Sequence, residues 1–132
     1  MRLSYFIQPV HPLDRNYNDI LREDIASVIL ADKLGYEEAL IGEHFTDLAE
    51  PITSCLMFIA RLISETKTIK LGSGVLNLPV YHPVMAAAHI AMMDNMLGGE
   101  NSPPVLSSAV RMKVQRGMTS DLNGATLKPP DT

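Results

Sequence analysis

A single cysteine, Cys55, stands in the whole chain, so no intramolecular disulfide can staple it, and its usage fits a reducing compartment. Cys55 lies among Leu56, Met57 and Phe58, the surroundings of an inert buried thiol. Basic charge is also scarce. Lys and Arg number 11 against 15 Asp and Glu, a net charge of −4, which offers no basic face to nucleic acid. No apolar run reaches the roughly 20 residues that cross a bilayer. The N-terminal MRLSYFIQPV has one basic residue, a short apolar core and no small-residue cleavage site. It reads as a first strand rather than an export signal. The expectation is a cytoplasmic protein with neither nucleic acid nor membrane as partner. Paired ligand spacings such as HxH or HExxH are missing, so no metal site is expected. Ser54 and Ser73 lack a nucleophile-elbow context, which argues against covalent serine catalysis.

What is present is the composition of a folded domain: 46% hydrophobic and 20% charged over 132 residues, enough for one core. Leu3 to Ile7 is a short apolar and aromatic run that reads as a strand, stopped by Pro9-Val10-His11-Pro12. Leu13 to Tyr17 continues as a loop. Asn18 is a fitting N-cap, with Asp19 in the first turn. Leu21, Ile25, Val28 and Ile29 then recur at helical spacing opposite Arg22, Glu23 and Asp32, and Gly35 suits a left-handed stop. A second strand, Ala39 to Gly42, precedes a polar loop through Pro51. Thr53 or Ser54 caps a helix with the stripe Leu56, Ile59, Ala60 and Ile63. Ile69 to Leu76 is the third strand, interrupted by Gly72 and Gly74. After a turn-rich segment, Pro83 opens a helix to about Leu97, stopped by Gly98-Gly99.

The order β-α-β-α-β-α, with strands repeating at roughly thirty residues, is that of right-handed βαβ crossovers. A doubly wound sheet and a (β/α)8 barrel both begin this way. Glu100 to Thr132 has a different texture, with Pro103-Pro104, Pro129-Pro130 and no sustained apolar period. It reads as disordered or only loosely attached; Val105-Leu106 is too short for a strand, and only Ser107 to Arg116 carries a weak helical period. Three parallel strands alone leave exposed edges, so the chain resembles the start of a larger fold.

Ligands in parallel α/β folds sit at the carboxyl ends of strands. That is where the chain places LIGEHF, an apolar run ending at Gly42 and followed by Glu43, His44 and Phe45. His44 is the first candidate for chemistry. His11 and His82 also follow strand ends, while His89 lies within the third helix. Each fits a hydrogen-bonded structural residue; three on one rim also fit a functional pocket. Glu43, adjacent to His44, should point to the opposite face. Gly72-Ser73-Gly74 lacks the third glycine of a dinucleotide fingerprint and lies in a strand. Strand glycines mark a bulge, or close approach by another backbone or a flat ligand.

Five segments in this order resemble the bacterial-luciferase-like family of flavin-dependent monooxygenases and oxidoreductases. They are QPVHP (8–12), LADKLGYEEALIGEHF (30–45), EPI (50–52), KLGSGVLNLPVYHP (70–83) and AHIAMMDNMLGG (88–99). In texture they are nearest a limonene-monooxygenase-like branch. The resemblance implies that residues 1–99 form the first three βα units of a (β/α)8 TIM-type barrel. It also implies a reduced FMN, or alternatively the deazaflavin F420, at the barrel mouth. With O2, that flavin would serve the oxidation of a small organic substrate. His44 is implied as the acid-base residue. Gly74, Val75 and Asn77 are implied to line the cofactor, with a non-proline cis peptide beside the ring at Gly74-Val75. His11, Glu43 and His82 are candidates for the substrate pocket.

After Gly99 the resemblance ends. A basic residue, an aromatic-rich strand and a glycine-rich turn belong there, and Glu100-Asn101-Ser102-Pro103-Pro104 stands instead. The expectation is a truncation or frameshift near Gly99, with residues 100–132 an unrelated tail and the flavin-phosphate residues absent. Such a chain would be inactive alone. The alternatives are a non-catalytic remnant, pairing with itself or with a longer paralogue, and a small α/β binding module.

Overall fold

The computed structural model describes residues 2–97. The elements run β1 (Ser4–Ile7), α1 (Tyr17–Lys33), β2 (Glu38–Ile41), α2 (Cys55–Leu62), β3 (Lys70–Ser73), a 3-10 turn (Leu78–Val80) and α3 (Pro83–Met96). The three strands pair in parallel in the order β1-β2-β3, with Phe6, Leu40 and Gly72 in register and Ile7, Ile41 and Ser73 in the next row. The structure is thus an α/β unit of three strand–helix pairs.

Strand residues alternate between faces. Ile7, Ala39, Ile41 and Leu71 are buried in one core with Val28 and Ala31 of α1 and Ile59 and Leu62 of α2. The alternate residues Phe6, Leu40 and Gly72 belong to the opposite face of the sheet. Phe6 is 48% exposed there, whereas Ile7 beside it is buried.

The helix ends show where local signals were sufficient. Gly35 takes φ 79° at the end of α1, a conformation that needs no Cβ. Ser54 caps α2 by accepting from Met57 N at 3.3 Å, and Pro83 occupies the first turn of α3. The start of α1 differs from the expectation. Asn16, not Asn18, is the N-cap, and its side chain accepts from Asn18 N at 2.9 Å and Asp19 N at 3.4 Å. The helix thereby begins at Tyr17, whose hydroxyl donates to Pro51 O at 2.7 Å. A contact more than thirty residues away in sequence thus accompanies the choice between two equally good asparagines.

The third strand stops at Ser73 rather than Leu76. Gly74 N and Val75 N both turn back to Ile41 O, at 2.8 and 3.4 Å, and Asn77 N leaves the ladder for the Glu43 carboxylate. No cis peptide occurs among the described residues, so the Gly74-Val75 bond is trans. Trans is favoured by about 3–4 kcal/mol unless the surroundings over-determine the alternative, and Val75 here is 38% exposed.

Asp32 also departs from its place on a charged helix face. It accepts from Lys67 N, Thr68 N, Thr68 Oγ1 and Ile69 N at 2.7–2.9 Å, pinning the entry to β3. Burial pushes this carboxyl up, but the four hydrogen bonds outweigh it and hold it at about 2. The helix stop at Gly98-Gly99, the tail of 100–132 and its helical period at 107–116 lie outside the described residues.

Candidate active site

The carboxyl end of β2 is built around two residues that diverge. Gly42 N donates to Ile7 O at 2.9 Å, and a Cβ at Gly42 would come within 3.2 Å of that same oxygen. The close approach to β1 therefore depends on glycine. Glu43 then turns inward and His44 outward, as strand-end alternation requires.

Glu43 is 1% exposed, and both its carboxylate oxygens accept hydrogen bonds. One takes Asn77 N at 2.9 Å; the other takes Cys55 N at 3.0 Å and Tyr81 OH at 3.0 Å. The Asn77 side chain returns a bond to Glu43 O at 3.0 Å. One buried carboxylate thus ties the end of β2 to the first turn of α2 and to the segment between β3 and α3. Cys55 N belongs to a helix N-terminus, where an anion is favoured. Glu43, expected as a substrate-pocket candidate, is buried here and engaged by three donors of its own chain. Its neighbours respond. Burial, reinforced by Glu43, pushes the Cys55 thiol up to about 12 and also raises the Tyr81 phenol. The thiol is therefore inert, as its apolar neighbours indicated.

His44 occupies the open side. Its backbone N donates to Ile52 O at 3.0 Å, and its Nε2 lies 2.6 Å from Glu50 Oε2. The pair is poorly aligned for a hydrogen bond, and neither atom has another partner, although both are buried. The other oxygen of Glu50 accepts from Gln8 Nε2 at 3.4 Å. The ends of β1 and β2 and the loop after β2 thus assemble Gln8, Gly42, His44 and Glu50. At the end of β3, a Cβ on Gly74 would lie 3.1 Å from Phe6 Cδ2 and closer still to Cε2. An aromatic ring already lies where any larger residue would exclude it.

His11 lines a cavity with Phe6 and Gln8, but its ring is engaged by another carboxylate. His11 Nε2 contacts both oxygens of buried Asp24, at 3.0 and 3.2 Å, while its backbone N donates to Ala49 O. Burial raises the Asp24 carboxyl and His11 partly opposes it. His82 is exposed at the start of α3 and makes no side-chain capping bond. Val75 is partly exposed beside Gly74, and Asn77 is engaged with Glu43. Glu50 and Gln8 are the functional candidates that spacing missed. They lie in the segments EPI and QPVHP, but no sequence rule pairs residues so far apart. Among the described residues no three His, Cys, Asp or Glu side chains are grouped to hold a metal ion, and no helix is long and apolar enough to cross a membrane.

A protein-family model described as luciferase-like monooxygenase matches residues 1–99. The 4-hydroxyprotoasukamycin monooxygenase of Streptomyces nodosus subsp. asukaensis is 32% identical over 133 residues, covering 99% of this chain and 34% of that protein. Limonene 1,2-monooxygenase of Rhodococcus erythropolis is 35% identical over 94 residues, 71% of this chain and 24% of that protein. Among solved structures, the oxygenating constituent of 3,6-diketocamphane monooxygenase from Pseudomonas putida, in complex with FMN, superposes with a TM-score of 0.71 at 27% identity. That match covers 75% of this chain and 27% of the solved one. The chain spans about a quarter to a third of the length of these curated relatives.

Proposed function

The chain belongs to the luciferase-like monooxygenase family, and on that premise we propose that its strand ends form the ring-binding and proton-handling side of a flavin-dependent monooxygenase. The observation that carries the reading is the juxtaposition at one sheet end. His44, paired with Glu50, follows the end of β2, and Gly74, against which the Phe6 ring lies, follows the end of the neighbouring β3.

The residues present fit the ring of a flavin. Gly74 tolerates an aromatic ring against its backbone, and Phe6, half exposed, is free to leave that position. Gly74, Val75 and Asn77 would hold the cofactor, with Asn77 fixed in place by Glu43. A bound reduced flavin supplies the two electrons that activate O2 toward a small organic substrate. The solved relative in complex with FMN superposes at a TM-score of 0.71, against 0.51 for a coenzyme F420 dependent reductase, which supports FMN as the first choice. His44 gives or takes a proton at this mouth; imidazole is suited to that near neutral pH. Glu50 supplies the compensating charge. The three described strand–helix pairs do not by themselves enclose this mouth. Among the described residues the outer edges of β1 and β3 have no strand partner, and pairing there with a second copy or a longer paralogue is part of this reading. A reducing cytoplasm, inferred from the lone cysteine, belongs to the same reading.

Titration of the chain into FMN and, in parallel, into F420 tests the proposal by flavin fluorescence. Saturable quenching of FMN is expected, and Gly74→Leu, with its fold checked by circular dichroism, should abolish it. Quenching by neither cofactor, or equal quenching by the Leu variant, would overturn the proposal.

A further inference from the structure

The loop that carries Glu50 is tied down from three sides. Ala49 O accepts from His11 N at 2.8 Å, Pro51 O accepts from Tyr17 OH at 2.7 Å, and Ile52 O accepts from the backbone N of His44 itself. Glu50 is accordingly held on both flanks, and its side chain, 13% exposed, reaches His44 Nε2 at 2.6 Å while Gln8 holds its other oxygen. An ionised carboxylate only accepts hydrogen bonds. The 2.6 Å contact between His44 Nε2 and Glu50 Oε2 is poorly aligned for a hydrogen bond but too short for two facing lone pairs. A neutral His44 therefore meets the carboxylate best with its proton on Nε2 and its lone pair on Nδ1. His44 Nδ1 has no hydrogen-bond partner among the described residues.

We infer that Glu50 is a positioning residue: it fixes His44 as the Nε2–H tautomer and makes Nδ1 the atom that exchanges protons with substrate. A proton taken at Nδ1 leaves an imidazolium whose charge Glu50 balances without moving. Gln8 keeps the carboxylate from rotating away. The inference rests on the proposed function only for the use to which Nδ1 is put; the tautomer is a property of the chain by itself.

Long-range 1H–15N spectra of the histidine rings in the full 132-residue chain, without flavin and at a pH where the rings are neutral, test it. The wild type should show His44 with its proton on Nε2 and an unprotonated Nδ1. Glu50→Met, which keeps the stem but removes the acceptor, should mix in the Nδ1–H tautomer and lose any Nε2–H signal protected from exchange. Glu50→Gln retains an acceptor oxygen and should restore the wild-type pattern. The ring of His11, held by Asp24, reports whether each variant remains folded. Should Glu50→Met not fold, Gln8→Ala should admix the second tautomer. A wild-type ring protonated on Nδ1, an averaged ring in the wild type, or an Nε2–H pattern unchanged in the folded variants overturns the assignment. These spectra contain no flavin, so a failure of cofactor binding leaves the tautomer assignment intact, and the reverse also holds.

Discussion

Replacing Glu43 by Gln removes one acceptor and one charge from a place where water cannot substitute. The wild-type carboxylate takes Asn77 N on one oxygen and both Cys55 N and Tyr81 OH on the other. A glutamine keeps one oxygen, so its best orientation retains Cys55 and Tyr81 and turns its amide NH2 toward Asn77 N, donor against donor. The unsatisfied Asn77 N–H costs about 1–3 kcal/mol. The two retained bonds lose their charge assistance, which roughly halves each, for about another 1 kcal/mol together. Relief from burying the charge returns part of this. The net expectation is a loss of about 2–3 kcal/mol, and Glu43→Ala, which strands three donors and opens a cavity, should lose about 4–5 kcal/mol. Urea unfolding followed by circular dichroism reads this as a fall in midpoint of about 1–2 M for Glu43→Gln at unchanged slope. A midpoint within a few tenths of a molar of wild type would refute the account of Glu43 as the residue that joins β2, α2 and the segment after β3.

Two further perturbations separate the loop anchor from the close strand approach. Asp32 is held at about 2 when folded, below an unfolded carboxyl near 3.9, so its contribution is fully present above that unfolded value and fades as pH falls toward 2. Because this carboxylate is only partly buried, the full shift is discounted to about 1 kcal/mol. Urea midpoints collected between about pH 6 and pH 2 should fall less steeply for Asp32→Asn, and identical profiles would contradict the assignment. Gly42→Ala should cost about 1–2 kcal/mol, a fall in Tm of several degrees, because its Cβ meets the backbone oxygen of Ile7. Gly74→Ala should cost less, since it meets the movable Phe6 ring; the reverse order in thermal unfolding would disprove this.

The parts of the fold that a short window encodes were legible in the sequence: the left-handed Gly35, the Ser54 cap, Pro83 at the start of α3 and the alternation of three strands. So was the position of His44 just past the end of β2, since an apolar strand that ends in glycine places the following residues at the mouth. Features decided by distant partners were not. Asn16 and Asn18 cap equally well in isolation, and the choice between them goes with Tyr17 meeting Pro51. Asp32 looked like a solvated helix residue until the chain returned thirty-odd residues later to place three N–H groups and a hydroxyl around it. Glu43 and His44 are neighbours of similar polarity in sequence, yet the pleat makes one a buried structural hub and the other a candidate for chemistry. Glu50 carried no local signal, because its role exists only once the loop after β2 folds back over the strand end.

The central claim is that the ends of the three strands form a flavin-ring site beside His44. Amide spectra of the 15N-labelled chain titrated with FMN test it most directly. The account predicts saturable shifts at Gly42, His44, Gly74 and Val75, with the amides around Asp32 at the far end of the sheet unchanged. No shifts at saturating FMN, or shifts confined to residues away from the strand ends, would contradict it.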